Sequence, residues 1–242
     1  MRIVSKSDIG RMRRTNQDAF ATGELTGNVA WAVVCDGMGG ANGGNIASQT
    51  AVKVISDRIS SGFVKGMNSS DIKTLLNTAI YTANLNVFDM AKSVETLSGM
   101  GTTVVALLIC DDVLHIAHAG DSRAYVLSNG NIKQITKDHS IVQHLVEMGQ
   151  LTAAEAKVHP KKNVITRALG VEEMIKVDYT ELPFEDGDVV MLCTDGLSNY
   201  IDDSQVISIM KENNFYEFSE KLVEAANENG GGDNITVVVI AK

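Results

Sequence analysis

Four aspartates stand where an apolar or glycine-rich stretch breaks, and a fifth closes a polar run. Asp36 ends AWAVVC and precedes Gly37-Met38-Gly39-Gly40, and Asp195 ends DVVMLCT and precedes Gly196. Asp121 lies between Gly120 and Ser122-Arg123. Asp233 follows Gly230-Gly231-Gly232 and precedes Asn234 and the last apolar run. Asp18 closes Arg13-Arg14-Thr15-Asn16-Gln17-Asp18. Any one of these has a plain alternative, because Asp-Gly is a common turn dipeptide. The chain supplies its own control: Asp186-Gly187, inside Pro-Phe-Glu-Asp-Gly-Asp, reads as a surface turn. Asp36 and Asp195 differ because apolar residues run right up to them. A carboxylate at the end of a buried strand is partly desolvated, and when ionised it needs a cation.

Lysine and arginine are sparse around these aspartates, and no His or Cys cluster at ligand spacing argues for zinc. Carboxylates with a backbone carbonyl and water are the hard-oxygen set of Mg²⁺ or Mn²⁺. Glycine at 37 leaves the backbone free to bend and turn a carbonyl toward such an ion. Two ions about 3.5–4 Å apart can share a water and acidify it, so that attack on a phosphate needs no protein nucleophile. Bound cations also reconcile an acidic chain, of net charge −9, with an anionic substrate. Arg is the forked donor for phosphate oxygens, and Arg13 is the candidate; its alternative is an exposed member of the Arg11-Met12-Arg13-Arg14 run.

The elements that must position these residues are legible in outline. Residues 29–35, 103–110, 113–119, 188–193 and 235–240 are short, rich in β-branched residues and bounded by turn formers, which predicts buried strands. Asp111-Asp112 predicts a hairpin. Ala47, Ala51, Ile55 and Ile59 form one helical stripe, and Ile72, Leu75, Leu76, Ala79, Ile80, Ala83 and Val87 form another, capped by Ser69, Ser70 or Asp71. Ser140 caps a short helix, Thr152 with Glu155 forms a capping box, and 218–227 is the last helix. Two long helices in succession break β-α-β alternation, so the fold class is α+β with antiparallel sheet. Residues 1–242 form a single domain, with 137–170 a long polar insertion between strands that predicts a flap.

Bulk properties narrow the function. A hydrophobic share of 44% supports a sizeable core. The acidic surface argues against nucleic acid and anionic membrane. Cys35, Cys110 and Cys193 end apolar runs without paired spacing and read as buried hydrophobes. The start has no apolar core of signal-peptide length and no run is long enough to span a bilayer, so a cytoplasmic location is expected.

Arg13 with Asn16-Gln17-Asp18, then DGMGG at 36–40, GTT at 101–103, GDSR at 120–123, DHS at 138–140, CTDGL at 193–197 and GGGDNITVVVI at 230–240 occur in this order. Together they resemble the bacterial metal-dependent serine/threonine protein phosphatases of type 2C. The resemblance implies a four-layer αββα sandwich, with two antiparallel sheets flanked by helix pairs. It implies two or three Mn²⁺ or Mg²⁺ ions, and a water or hydroxide bridging two of them that attacks phosphoserine or phosphothreonine. By its motifs Asp36 bridges two metals, Gly37 offers its carbonyl, and Asp195 and Asp233 complete the first site. Asp121 with Asp195 makes a third metal site, Asp18 acts through a bound water, Arg13 holds the phosphate, and 137–170 influences substrate choice. One departure is Ala41, where many relatives carry a histidine after DGMGG; a metal-held water is then the acid. His118 is near Asp121 in sequence but carries no motif. The expected partners are phosphorylated proteins and a Ser/Thr kinase, and the expected state is a monomer. The competing class, an inactive binding module of the same fold, predicts lost ligand aspartates, whereas all five are filled. A nucleotide hydrolase predicts base-binding aromatic or basic features that are missing.

Overall fold

The structure, a computed structural model, describes residues 1–242, except the side chains of Ala41 and Asn42. The Ala41 departure falls on one of these and lies outside the described side chains. In chain order the strands are β1 (Arg2–Asp8), β2 (Asp18–Leu25), β3 (Val29–Met38), β4 (Gly101–Thr102), β5 (Val104–Cys110), β6 (Val113–Ala119), β7 (Arg123–Ser128), β8 (Asn131–Gln134), β9 (Asp178–Pro183), β10 (Val189–Cys193) and β11 (Ile235–Ala241). The helices are α1 (Gly40–Gly62), α2 (Ser69–Ser93), α3 (Ile141–Glu147), α4 (Ala153–Val158), α5 (Asp195–Ser198), α6 (Asp203–Glu212) and α7 (Phe218–Glu228).

Two antiparallel sheets result. One runs β1-β11-β10-β7-β8; the other runs β2-β3-β5-β6-β9, with β4 paired to the end of β3. The continuous apolar runs follow from this layering, because central strands are covered on both faces. Val29, Trp31, Val33 and Cys35 of β3 point toward α1 and α2, while Ala30, Ala32 and Val34 join the layer between the sheets. In the other sheet, Val237 and Val239 of β11 face α5–α7, and Val238 and Ile240 face the inter-sheet layer. Side chains alternate along a strand, so a strand with two buried faces reads apolar at every position. The fold is therefore α+β, a sandwich of two sheets between helix layers, as the motifs imply.

The helix stripes match. Ala47, Ala51, Ile55 and Ile59 are wholly buried, as are Leu76, Ala79, Ile80, Ala83 and Val87. The cap of α2 is corrected: Asn68, not Ser69, Ser70 or Asp71, accepts from the amides of Ser70 and Asp71 and forms a capping box with Asp71. Ser140 and Thr152 cap as expected. Asp111 and Asp112 take positive φ (49° and 62°) between β5 and β6, the backbone of a two-residue hairpin turn. Asp186-Gly187 is a surface turn whose Asp186 carboxylate is met by Lys242 at 3.1 Å. The three cysteines are buried and free. Among the described residues, no helix is long and apolar enough to cross a membrane.

Candidate active site

The strand ends of the two sheets converge at one rim of the sandwich. Asp18, opening β2, lies opposite Asp36, near the end of β3, in the antiparallel register. Asp195 opens α5 straight after β10, and Asp233 stands just before β11. Asp121 sits in the bend between β6 and β7. A cleft of about 490 Å³ is lined by Arg13, Asp36, Gly37, Asp121, Asp195 and Asp233, together with Thr103, Asn163, Ile165 and Asn234. Residues spread over more than two hundred positions of sequence thus reach one cavity.

Gly37 is glycine for a reason the sequence does not give. A Cβ there would stand 2.6 Å from the Gln17 carbonyl oxygen and nearer still to the backbone of Gly44 in the first turns of α1. Helix and strand end touch backbone to backbone, and the Gly37 amide donates to the Gln17 carbonyl at 3.1 Å. Close approach constrains this position to glycine.

Carboxylates dominate the electrostatics. Burial pushes Asp18 up to about 7, with Asp195 and Asp233 adding repulsion against the hydroxyl groups of Thr236 and Thr194. Burial, then the charge of Asp195, lifts Asp121 to about 7 as well. Asp36 is raised far above the ordinary carboxylate range by burial and by Asp18, Asp195, Asp121 and Asp233, and Asp195 is raised by burial and Asp233. A cationic partner at the cleft is Arg13, whose Nη2 donates to Asp233 Oδ2 at 2.7 Å. That hydrogen bond raises the Arg13 pKa further. Oδ1 of Asp18 and Oδ1 of Asp195 are buried without a hydrogen-bond partner among the described residues. Crowded acids with unpaired buried oxygens call for added positive charge, and their donor set is the hard-oxygen type.

Supporting contacts were not legible from the motifs alone. Thr194 Oγ1 donates to Asp18 Oδ2 at 2.9 Å, joining the two sheets beneath the cleft, and accepts from the Thr236 amide at 3.0 Å. Thr103 Oγ1 accepts from the Asp36 amide at 2.9 Å. Asn234 holds the 9–17 loop: its Oδ1 accepts from the Gln17 amide, and its Nδ2 donates to the Ile9 and Thr15 carbonyls. The Asp-Asn dipeptide was the only signal of this. His118 stays out of the cleft; its ring Nε2 donates to the Lys137 carbonyl at 2.9 Å. It belongs to a second group in which ligand atoms of His118, His139 and Asp178 lie within 4.8 Å of one another, and none of the three lines the cleft.

The layered fold and this cleft define a class: an αββα sandwich with a cleft at one rim built from strand-end carboxylates. The family model described as protein phosphatase 2C matches residues 11–236. The serine/threonine phosphatase stp of Listeria welshimeri is 37% identical over 243 residues, covering 100% of this chain and 96% of that protein. The solved serine/threonine phosphatase of S. agalactiae superposes with a TM-score of 0.92 at 34% identity, covering 100% of this chain and 99% of the other. The catalytic domain of the serine threonine protein phosphatase PstP, solved with two manganese ions, gives 0.85 at 33% identity and covers 98% and 96% of the two chains. The chain belongs to the protein phosphatase 2C family, and is a serine/threonine protein phosphatase.

Proposed function

We propose that the cleft hydrolyses phosphoserine and phosphothreonine in proteins, with Mn²⁺ or Mg²⁺ held by its aspartates. The observation that carries this reading is the convergence of Asp36, Asp121, Asp195 and Asp233 on one cavity, with Arg13 at its mouth and buried carboxylate oxygens left without partners. Asp36 would serve two ions, Asp195, Asp233 and the Gly37 carbonyl would complete the first site, Asp121 with Asp195 would support a third, and Asp18 would act through water. Ions held there would supply the positive charge that offsets an incoming phosphate and would acidify a water for attack.

The chain's own groups do the rest. Arg13 is half exposed at the mouth, and its guanidinium can exchange Asp233 for two phosphate oxygens. Thr194 and Thr103 fix the orientation of Asp18 and the Asp36 backbone by direct hydrogen bonds. The proton for the leaving serine or threonine oxygen comes from a carboxyl or a water in the cleft, because no described lining residue is His, Lys, Tyr or Cys. Residues 137–170 act as a flap over the cleft within one catalytic domain of residues 1–242, and Asn163 and Ile165 of this segment supply part of its lining. Phosphorylated proteins are the substrates, and the kinase that writes those marks is the expected partner of a monomeric, cytoplasmic enzyme.

The test is hydrolysis of p-nitrophenyl phosphate and a phosphothreonine peptide in EDTA, then with Mn²⁺ or Mg²⁺ added back. Turnover of both that returns only with metal supports the reading. A folded protein that hydrolyses neither under any metal overturns it.

A further inference from the structure

The group around His139 has two chemical readings, a metal site and a structural knot, and its contacts decide between them. Arg167 Nη1 lies 2.8 Å from Asp178 Oδ1 and 2.8 Å from His139 Nε2, so a guanidinium occupies the place a cation would need. The His118 ring stacks on His139 at 4.7 Å with an interplanar angle of 6°, and its Nε2 is committed to the Lys137 carbonyl. The cluster is a knot, and what it holds is the backbone just before Asp121.

His139 grips both polar groups of Gly120. Its amide donates to the Gly120 carbonyl at 2.9 Å, and its ring Nδ1 accepts from the Gly120 amide at 3.0 Å. Because Nδ1 accepts, the ring proton sits on Nε2, facing Asp178 Oδ2 at 3.2 Å, and Arg167 Nη1, a donor itself, is held beside that nitrogen by its bond to Asp178 and not by one to the ring. Burial, which pushes the ring down to about 4, keeps it in that neutral form. Gly120 has φ of +117°, and a Cβ there would meet the Thr103 side chain at 2.6 Å. Thr103 in turn bonds Ser122 Oγ at 2.7 Å. The 120–122 bend is thus clamped between Thr103 and His139. The far side of the clamp is the polar insertion: the Thr166 amide donates to the His139 carbonyl at 2.8 Å, and Asp138 takes the Arg123 guanidinium through both its oxygens. Asp121 lines the catalytic cleft and also a neighbouring one walled by Ser140, Val142 and Lys162 of the insertion.

We propose that His139 is a positioning residue for Asp121, fixing through Gly120 the carboxylate that supports the third metal ion, and tying that carboxylate to the roots of the 137–170 segment. The proposal rests on the reading of Asp121 as a metal ligand. An imidazole held by Asp178 and the stacked His118 ring on one side and by the peptide next to a ligand on the other is the arrangement by which outer residues tune a metal site.

The test is calorimetric Mn²⁺ titration of the full chain, read with thermal melting, for wild type and for D121N, H139A, H139N and H139Q. D121N should lose the weakest binding step. H139A should weaken that step about 10-fold, the size expected for an outer partner of a ligand. An Asn amide oxygen reaches where Nδ1 sits and should restore near-wild-type binding, whereas a Gln reaches toward Nε2 and should not. Wild-type metal binding in H139A beside a lost step in D121N overturns the positioning role and leaves the Asp121 reading standing. Wild-type binding in D121N removes the Asp121 reading and the proposal with it. If H139A does not fold, the Asn and Gln variants decide: equal binding in both, or better binding in Gln, overturns the proposal.

Discussion

Replacing Gly37 by alanine tests whether backbone contact between β3 and α1 sets the geometry of the cleft. The new Cβ stands 2.6 Å from the Gln17 carbonyl oxygen, and closer to Gly44, where ordinary contact begins at 3.4 Å. Relief therefore needs a shift of roughly 1 Å, taken by backbone on every side, in the residue that follows Asp36; misplacement on that scale costs about 100-fold in rate. Overpacking of this kind costs about 1–3 kcal/mol. In a domain of this size that lowers Tm by roughly 2–12 °C. The assay is p-nitrophenyl phosphate turnover at saturating Mn²⁺, with a melting curve. Gly187→Ala is the control: φ there is +91° with open space around the position, so stability should fall by about 1 kcal/mol with kcat unchanged. Gly37→Ala with near-wild-type kcat would refute the close-contact explanation.

Other expectations follow from the same geometry. Thr194→Val keeps the volume of a fully buried side chain but removes the donor to Asp18; kcat should fall about 10-fold, and Thr194→Ser should recover most of it. Arg13→Ala should raise KM for p-nitrophenyl phosphate about 10–100-fold, the worth of a charged hydrogen bond, while Tm moves by no more than about 2 °C because its ion pair is exposed; an unchanged KM would make Arg13 a mere surface residue. Without metal, the folded-state pKa of Asp18 and of Asp121 is about 7 against 3.8 for the ordinary group. The native state then holds protons the unfolded chain has released, so this stability is fully present below the lower value and is lost as pH rises through the upper one. Melting in EDTA should therefore fall from about pH 5 to pH 8, and Mn²⁺ should reverse the fall; a Tm that rises over that window in EDTA would contradict the burial of these acids.

Five of the central strands, both long helices and the acidic rim are legible because each leaves a local mark, whereas β7 (Arg123–Ser128), short and opened by Ser122-Arg123, is not. A strand buried on two faces is apolar throughout, as 29–35 is, and a carboxylate at its end stands out by contrast. β1 and β2 left no such mark. Their residues are mostly half-buried, and RIVSKSD and DAFATGEL mix polar and apolar positions without strict alternation. The α6 helix was missed between turn formers, although Asp202 and Gln205 make a capping box. The contacts of Thr194 and Asn234 are not local, because their partners Asp18 and Gln17 lie 176 and 217 positions away. Gly37 carries a second constraint that its local sequence does not show: Gly44 is the complementary glycine across a backbone contact. The Ser-Ser-Asp cap of α2 failed by one residue because Asn68 accepts from two amides at once.

The central claim is that one carboxylate, Asp36, organises a metal-dependent centre. Its most direct test is the manganese bound per chain after equilibrium dialysis, for wild type and for Asp36→Ala, with phosphothreonine-peptide turnover measured on the same samples. The account predicts at least two ions on the wild type, and joint loss of metal and turnover in the variant with the fold retained. Wild-type manganese content in Asp36→Ala, or wild-type turnover without it, would contradict the account.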